Sequence, residues 1–274
     1  MTPSTPPVIP TAMTIAGSDS GGGAGIQADL RTFAFHQVHG TSAITCITAQ
    51  NTQGVTRVDA LSPDAVIAQI QTVIDDIAIH AVKTGMLLNQ DIIDAIAHYL
   101  HENPLPNLVV DPVMVSRTGA QLIDDAAIST LKSRLAPLAT VLTPNRYEAQ
   151  ILSELGITTF KDMQAAAQRI FELGPTAVVV KGGGMSGELQ GVDVFFDGDR
   201  FETLQTETVH TPNTHGTGCT LSAAIAANLA IGHDLSGAIR HAKHYVTSAL
   251  QHSLQIGHGQ GPVGHFFPLR RSLR

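Results

Sequence analysis

Short runs of β-branched and small apolar residues recur along this chain, separated by longer segments of helical period, and that rhythm admits few folds. The runs are Met13 to Gly17, Thr41 to Ala49, Ile79 to Thr84, Leu108 to Asp111, Thr140 to Leu142 and Thr176 to Lys181. They are apolar nearly throughout, as strands covered on both faces are, so the spacing predicts β-α-β units over a mostly parallel sheet. Ser62-Pro63 predicts a helix start, with Ile67, Ile70, Val73, Ile74 and Ile77 following at helical spacing, and Asn89 caps the next helix. After Lys181 the order changes. Val192 to Phe196 and Phe201 to Leu204 flank Asp197-Gly198-Asp199-Arg200, which predicts a hairpin and hence an antiparallel edge.

The 274 residues suit one α/β unit, and no Pro/Gly/Ser linker divides them. Residues 1–11, rich in Pro and Thr, are expected to form a disordered tail, and 12–274 a single domain. Trp is absent and aromatics make up 4%, so the core must be built from Ala, Ile, Leu and Val. Lys and Arg number 16 against 23 Asp and Glu, with no basic cluster of the kind a nucleic-acid partner requires. The apolar runs are too short for a membrane span of about 20 residues. Cys46 and Cys219 form neither a disulfide framework nor a metal-ligand spacing, which points to a reducing cytoplasm.

Residues 216 to 220, Gly-Thr-Gly-Cys-Thr, run directly into a helical segment in which Leu221, Ala224, Ile225 and Leu229 share a face and Gly232 ends the helix. Gly216, Thr217 and Gly218 therefore sit at a helix N-terminus, where unpaired N–H groups and the helix dipole favour a phosphate. Cys219 stands beside that phosphate, where a base for an acceptor hydroxyl belongs. The helix end should lower its pKa and an adjacent triphosphate raise it, giving a value near neutrality. The other reading makes Cys219 a small core hydrophobe. The polar stretch Thr211 to His215 favours a cleft.

Other strand ends carry further candidates. Gly23, Gly25 and Ala28 match the dinucleotide pattern G-x-G-x-x-A, but residues 43 to 50 lack the acidic partner that pattern requires. A nicotinamide-dependent oxidoreductase is thereby disfavoured. A hydrolase built on Cys219 and His215 lacks an orienting third group. Gln50 can read a ring nitrogen beside an exocyclic amine, or simply cap a loop. Asp111 can hold a metal or position an acceptor. Asn145 and Glu148 can hold the waters of Mg²⁺, or cap a helix. Lys181 can contact phosphate, or snorkel from a strand end.

These segments resemble the ribokinase-like superfamily, and within it the hydroxymethylpyrimidine and phosphomethylpyrimidine kinases of thiamine biosynthesis. The resemblance covers nearly the whole chain, through TIAGSDSGGGAGIQADLRTF, ITAQNTQGV, VKTGML, VVDPVM, LTPNRYEA, VVVKGGG, NTHGTGCTLSAAIAA and GHGQGPVGHFF. It implies a three-layer α/β/α fold, ATP with Mg²⁺, a homodimer, and two successive phosphorylations, of the hydroxymethyl group and then of the monophosphate. By position it implies that Gln50 binds the pyrimidine with Met86 and Val113 on its faces and with Asp29 and Ala24 of the glycine loop nearby. Asn145 and Glu148 match the superfamily's metal motif, and Lys181 a residue near the phosphates. Cysteine at 219, where sugar kinases carry aspartate, is similar to the pyrimidine kinases and to a smaller set of pyridoxal kinases, the alternative acceptor.

Overall fold

The structure is a computed structural model that describes residues 9–114 and 123–270. Most of the expected tail, residues 1–8, lies outside the described residues. In chain order the main elements begin with β1 (Thr11–Asp19), α1 (Gly25–Phe35), β2 (His39–Gln50), β3 (Val55–Ala60), α2 (Pro63–Ile74) and β4 (Ala81–Thr84). They continue with α3 (Gln90–Glu102), β5 (Leu108–Val110), α4 (Asp125–Thr130), β6 (Val141–Leu142), α5 (Arg146–Ser153), α6 (Phe160–Phe171) and β7 (Val178–Val180). The hairpin β8 (Asp193–Phe196) and β9 (Phe201–Leu204) precedes α7 (Thr217–Ile231), α8 (Leu235–Gln251) and the short α9 (Phe267–Arg270).

One sheet runs in the order β3-β2-β1-β4-β5-β6-β7-β8-β9. From β2 to β7 the neighbours are parallel, and the hairpin β8-β9 adds the expected antiparallel edge. The other edge is antiparallel too: β3 folds back on β2 in a register that includes Cys46 opposite Ala60. All six β3 residues are exposed, so Val-Thr-Arg-Val-Asp-Ala carries no apolar alternation by which a strand announces itself.

The pleat sorts side chains by size between the two faces. Met13, Ile15, Val82, Val110, Leu142, Val178 and Val180 point to one face, under the helices from α2 to α6. Their neighbours Ala12, Ala81, Val109, Val141 and Val179 point to the other, under α1, α7 and α8. Small residues on that second face let α7 approach closely, and α7 answers with Ala223, Ala224, Ala226, Ala227 and Ala230. As a result α7 is buried on all sides from Thr220 to Ala230 rather than on the one face its spacing suggested, because α1 and α8 cover its back. The result is a three-layer α/β/α sandwich. Among the described residues no helix is long and apolar enough to cross a membrane.

Candidate active site

The candidate residues gather at the carboxyl ends of the parallel strands, where open α/β sheets hold ligands. Gly216 caps α7 with φ +81°, a conformation glycine adopts at little cost. A Cβ there would fall 1.8 Å from the carbonyl oxygen of Gly23, so the loop before α7 lies backbone to backbone on the loop after β1. The N–H groups of Gly218 and Cys219 donate to nothing within the described residues. They form an open anion nest at the helix end.

Two buried ion pairs floor this nest. Lys181 Nζ lies 2.8 Å from Asp111 Oδ1, and a Cβ on Gly218 would stand 3.4 Å from that ammonium. Lys181 is thus a buried, paired cation and does not snorkel to solvent. Ser222, one turn into α7, donates to Asp111 Oδ2 at 3.1 Å. Burial works against the Asp111 charge, but Lys181 and Lys83 outweigh it and hold its pKa below the ordinary value.

The second pair is Lys83 and Asp29, 2.8 Å apart and both wholly inaccessible. Lys83 lies in the middle of β4. Burial disfavours its ammonium, yet Asp29, Cys219 and Asp111 together raise its pKa. Asp29 is pushed up by burial and held down by Lys83. Its 2.8 Å contact with an ammonium and the 2.6 Å bond donated by Thr14 fit the charged carboxylate, which we assign. Asp29 therefore lies beneath the cleft rather than on its wall.

Cys219 is partly exposed at the cleft. Loss of solvation pushes its thiol up to about 11; Lys83 pulls it down, Asp29 and Asp111 push it further up, and a hydrogen bond from the Gly25 backbone N–H favours the thiolate. The near-neutral value expected from the helix end and a bound triphosphate is not met, because desolvation outweighs the pull of Lys83 and the Gly25 N–H.

The glycine loop after β1 is not a phosphate cradle. Asp19 fills it from within, accepting from the N–H groups of Gly21, Gly23 and Ala24 at 2.8, 3.0 and 2.8 Å. A dinucleotide phosphate would have to displace the chain's own carboxylate, which removes the basis of the oxidoreductase reading. The loop instead packs on His215, whose ring would stand 2.2 Å from a Cβ on Gly23 and whose Nε2 lies 2.9 Å from Asp19 Oδ2. Gln50 ends β2 beside this pair, its carboxamide between Thr48 and His215 and its backbone bridged by Ser20. Met86 lines the same region against Gly17, and Val113 follows Asp111, donating to its carbonyl.

At the next strand end Asn145 and Glu148 build a capping box on α5. Asn145 Oδ1 accepts from the N–H groups of Tyr147 and Glu148, and Glu148 Oε2 accepts from the Asn145 N–H at 2.8 Å. The capping role is therefore filled. Yet Glu148 is also buried, and burial pushes its pKa to about 8, with Lys181 opposing and Asp111 adding to the rise. Asp111, Glu148 and Lys181 thus form one electrostatic unit beside the nest. Lys83 and Asp19 belong to the site without having been singled out, and His215, considered only as a partner of Cys219 in a hydrolase, is held by Asp19 instead. Only Lys83 carried a usable signal, as a lysine inside a strand that otherwise reads as buried.

An anion nest floored by ammonium groups, with a thiol at its lip, on a sheet of this order defines a small-molecule kinase of ribokinase-like architecture. A solved structure described as an ADP complex of Bacillus subtilis pyridoxal kinase superposes with a TM-score of 0.87 at 42% identity, covering 94% of this chain and 98% of that one. The chain belongs to the phosphomethylpyrimidine kinase family, whose sequence model matches residues 19–264. It is 60% identical over 261 residues to a hydroxymethylpyrimidine/phosphomethylpyrimidine kinase of Synechococcus elongatus, covering 95% of this chain and 99% of that relative. It is also 45% identical over 267 residues to the chloroplastic thiamine biosynthetic bifunctional enzyme of Arabidopsis thaliana, covering 96% of this chain and 51% of that enzyme.

Proposed function

We propose that the protein transfers the γ-phosphate of ATP to the hydroxymethyl group of 4-amino-5-hydroxymethyl-2-methylpyrimidine, and then a second phosphate to the monophosphate, in thiamine biosynthesis. The observation that carries this reading is the open nest of Gly218 and Cys219 over Lys181 and Lys83, which suits a phosphoryl group in transfer. Such transfer needs positioning and charge stabilisation more than covalent chemistry. Gly216, Thr217 and Gly218 present the helix end to the transferring phosphoryl, Lys181 neutralises charge on it, and Asp111 holds Lys181. Cys219 accepts the proton of the acceptor hydroxyl, and the Lys83 ammonium below favours the thiolate this requires. Gln50 reads the pyrimidine edge, with Ala24, Met86 and Val113 around the ring, while Asp29 acts from beneath by holding Lys83.

Among the described residues no three His, Cys, Asp or Glu side chains converge to hold a metal directly. The oxygen donors of Glu148, Asn145 and Asp111 fit a cation that keeps its water shell, and a buried carboxylate with a raised pKa gains its charge when a cation arrives. Mg²⁺ held there through water would neutralise the phosphates. The reaction belongs in the cytoplasm. The exposed Ile47, Val55 and Val58 on β2 and β3 suit contact with a second copy in a homodimer; a monomer in sedimentation at micromolar concentration would exclude it.

The likeness to a pyridoxal kinase favours pyridoxal as the rival acceptor. Competition between pyrimidine and pyridoxal in an ATP-coupled assay decides between them, and faster turnover of pyridoxal would reverse the assignment.

A further inference from the structure

The motif GHGQGPVGHFF near the C-terminus has no part in the chemistry above, yet it grips the loop that opens α7. The His215 N–H donates to the Gly261 carbonyl and the Val263 N–H to the His215 carbonyl, each at 3.1 Å, a two-bond ladder on the residue just before the α7 cap. Glycine lets the segment lie there: a Cβ on Gly261 would fall 1.9 Å from the Leu254 carbonyl oxygen, and one on Gly264 2.1 Å from that of His252. Beyond the cap the same segment reaches into the first turn of α7. His265 is 2% exposed, and its Nε2 lies 2.9 Å from Thr220 Oγ1. Thr220 has one hydroxyl proton, and its Oγ1 lies 2.8 Å from the Gly216 carbonyl, which can only accept. That proton therefore goes to Gly216, and toward His265 the Thr220 oxygen accepts. Burial, with the Arg31 charge adding to it, pushes the His265 pKa down to about 4, so the ring holds one proton, which sits on Nε2 and goes to Thr220. Tyr245 OH donates to the His265 carbonyl at 3.0 Å and fixes the backbone that carries the ring.

We propose that residues 261–265 clamp the anion nest, and that His265 is a positioning residue for phosphoryl transfer, acting through Thr220 on the first turn of α7. The proposal rests on the phosphoryl-transfer reading above. One segment holds Gly216 from two directions, through the ladder on His215 before it and through Thr220 after it. Gly218 and Cys219 lie between these two anchors, so the open N–H groups and the thiol take their aim from a turn that the C-terminal segment fixes. Without the His265 donor the Thr220 hydroxyl is free to rotate off the Gly216 carbonyl, and that turn loses one of its two bonds to the cap, the other being the Thr220 N–H at 2.9 Å. Transfer depends on such aim, since a misplacement of about 1 Å can cost about 10² in rate.

The test compares kcat and KM for 4-amino-5-hydroxymethyl-2-methylpyrimidine and ATP in the full chain and in His265→Leu, His265→Gln and Thr220→Val. Rates are taken per mole of protein that binds ATP in calorimetry, so that loss of folded protein does not count as loss of rate. His265→Leu should lower kcat about 10- to 100-fold with both KM values within a few-fold, and His265→Gln, which keeps a donor at similar reach, should recover most of it. Thr220→Val breaks the same link, so the double variant with His265→Leu should be no slower than the slower single one. Near-normal kcat in His265→Leu, no recovery in His265→Gln, or losses that multiply in the double variant overturn the clamp. Where the variants fail to fold, imidazole ¹⁵N NMR of the unmodified chain decides: His265, assigned through its contacts with Thr220, should be neutral and protonated at Nε2, and protonation at Nδ1 alone overturns the proposal. Absence of turnover by the unmodified chain would instead sink the phosphoryl-transfer reading, and the ring tautomer would still decide the link to Thr220.

Discussion

Replacing Lys83 with methionine removes the ammonium beneath Cys219 while keeping most of the side chain's volume. Lys83 and Asp29 are wholly buried and 2.8 Å apart, so the single variant leaves an uncompensated carboxylate. Breaking such a pair costs about 3–5 kcal/mol, a large part of the roughly 5–15 kcal/mol that holds a domain together. Loss of activity in Lys83→Met alone would therefore say little. The informative protein is Lys83→Met/Asp29→Asn, which removes both charges and keeps an acceptor for Thr14, and should recover most of that stability. Because Lys83 lowers the Cys219 pKa more than Asp29 raises it, removing both still leaves the thiol less acidic than in the unmodified chain. The order of thiol pKa should be unmodified chain, then the double variant, then Lys83→Met. Iodoacetamide alkylation followed against pH reads this order, with Cys219→Ala correcting for the buried Cys46. A double variant that folds, alkylates at the unmodified rate and turns over normally would show that Lys83 only fills space, and the electrostatic account of the base would fall.

Further expectations follow from the same site. Cys219→Ala should lower kcat by about 10² to 10⁴ while ATP affinity, measured by calorimetry, stays within a few-fold; normal turnover would move the base elsewhere. With the thiol near 11, the thiolate fraction grows as pH rises, so kcat of the unmodified chain should climb between pH 7 and 9 and the variant's should not. Glu148 has a pKa of about 8 against an ordinary 4.5, so the folded state keeps a proton the unfolded state has released. Stability of the ligand-free protein should then fall as pH rises from about 4.5 to about 8, by on the order of a few kcal/mol, and Glu148→Gln should flatten the melting profile over that range. Gly216→Ala should disrupt both loops at once, since its Cβ would strike the Gly23 carbonyl at φ +81°; a soluble variant with unchanged phosphate binding would contradict the interlocked loops.

The parallel sheet and its β8-β9 edge were legible because buried strands must be apolar along their whole length and a hairpin needs its turn residues. Edge strand β3 was not, since Thr56, Arg57 and Asp59 share it with exposed valines and all six of its residues are exposed. The nest could be read from Gly216 to Cys219 because glycines before an apolar helix have few other uses. Its floor could not: the partnership of Lys83 with Asp29 joins residues 54 apart, and that of Asp111 with Lys181 residues 70 apart, through the sheet order. The acidity of Cys219 was misjudged for the same reason. A helix end is local and visible in sequence, whereas the desolvation that overrides it depends on what the fold stacks around the thiol.

The central claim is that this site phosphorylates an aminopyrimidine alcohol and then its monophosphate. An ATP-coupled assay with hydroxymethylpyrimidine, its monophosphate and pyridoxal as separate acceptors tests it most directly. The account predicts ADP release with both pyrimidine compounds, the diphosphate as final product, and slower turnover of pyridoxal. ADP release with pyridoxal alone, or with none of the three, would contradict it.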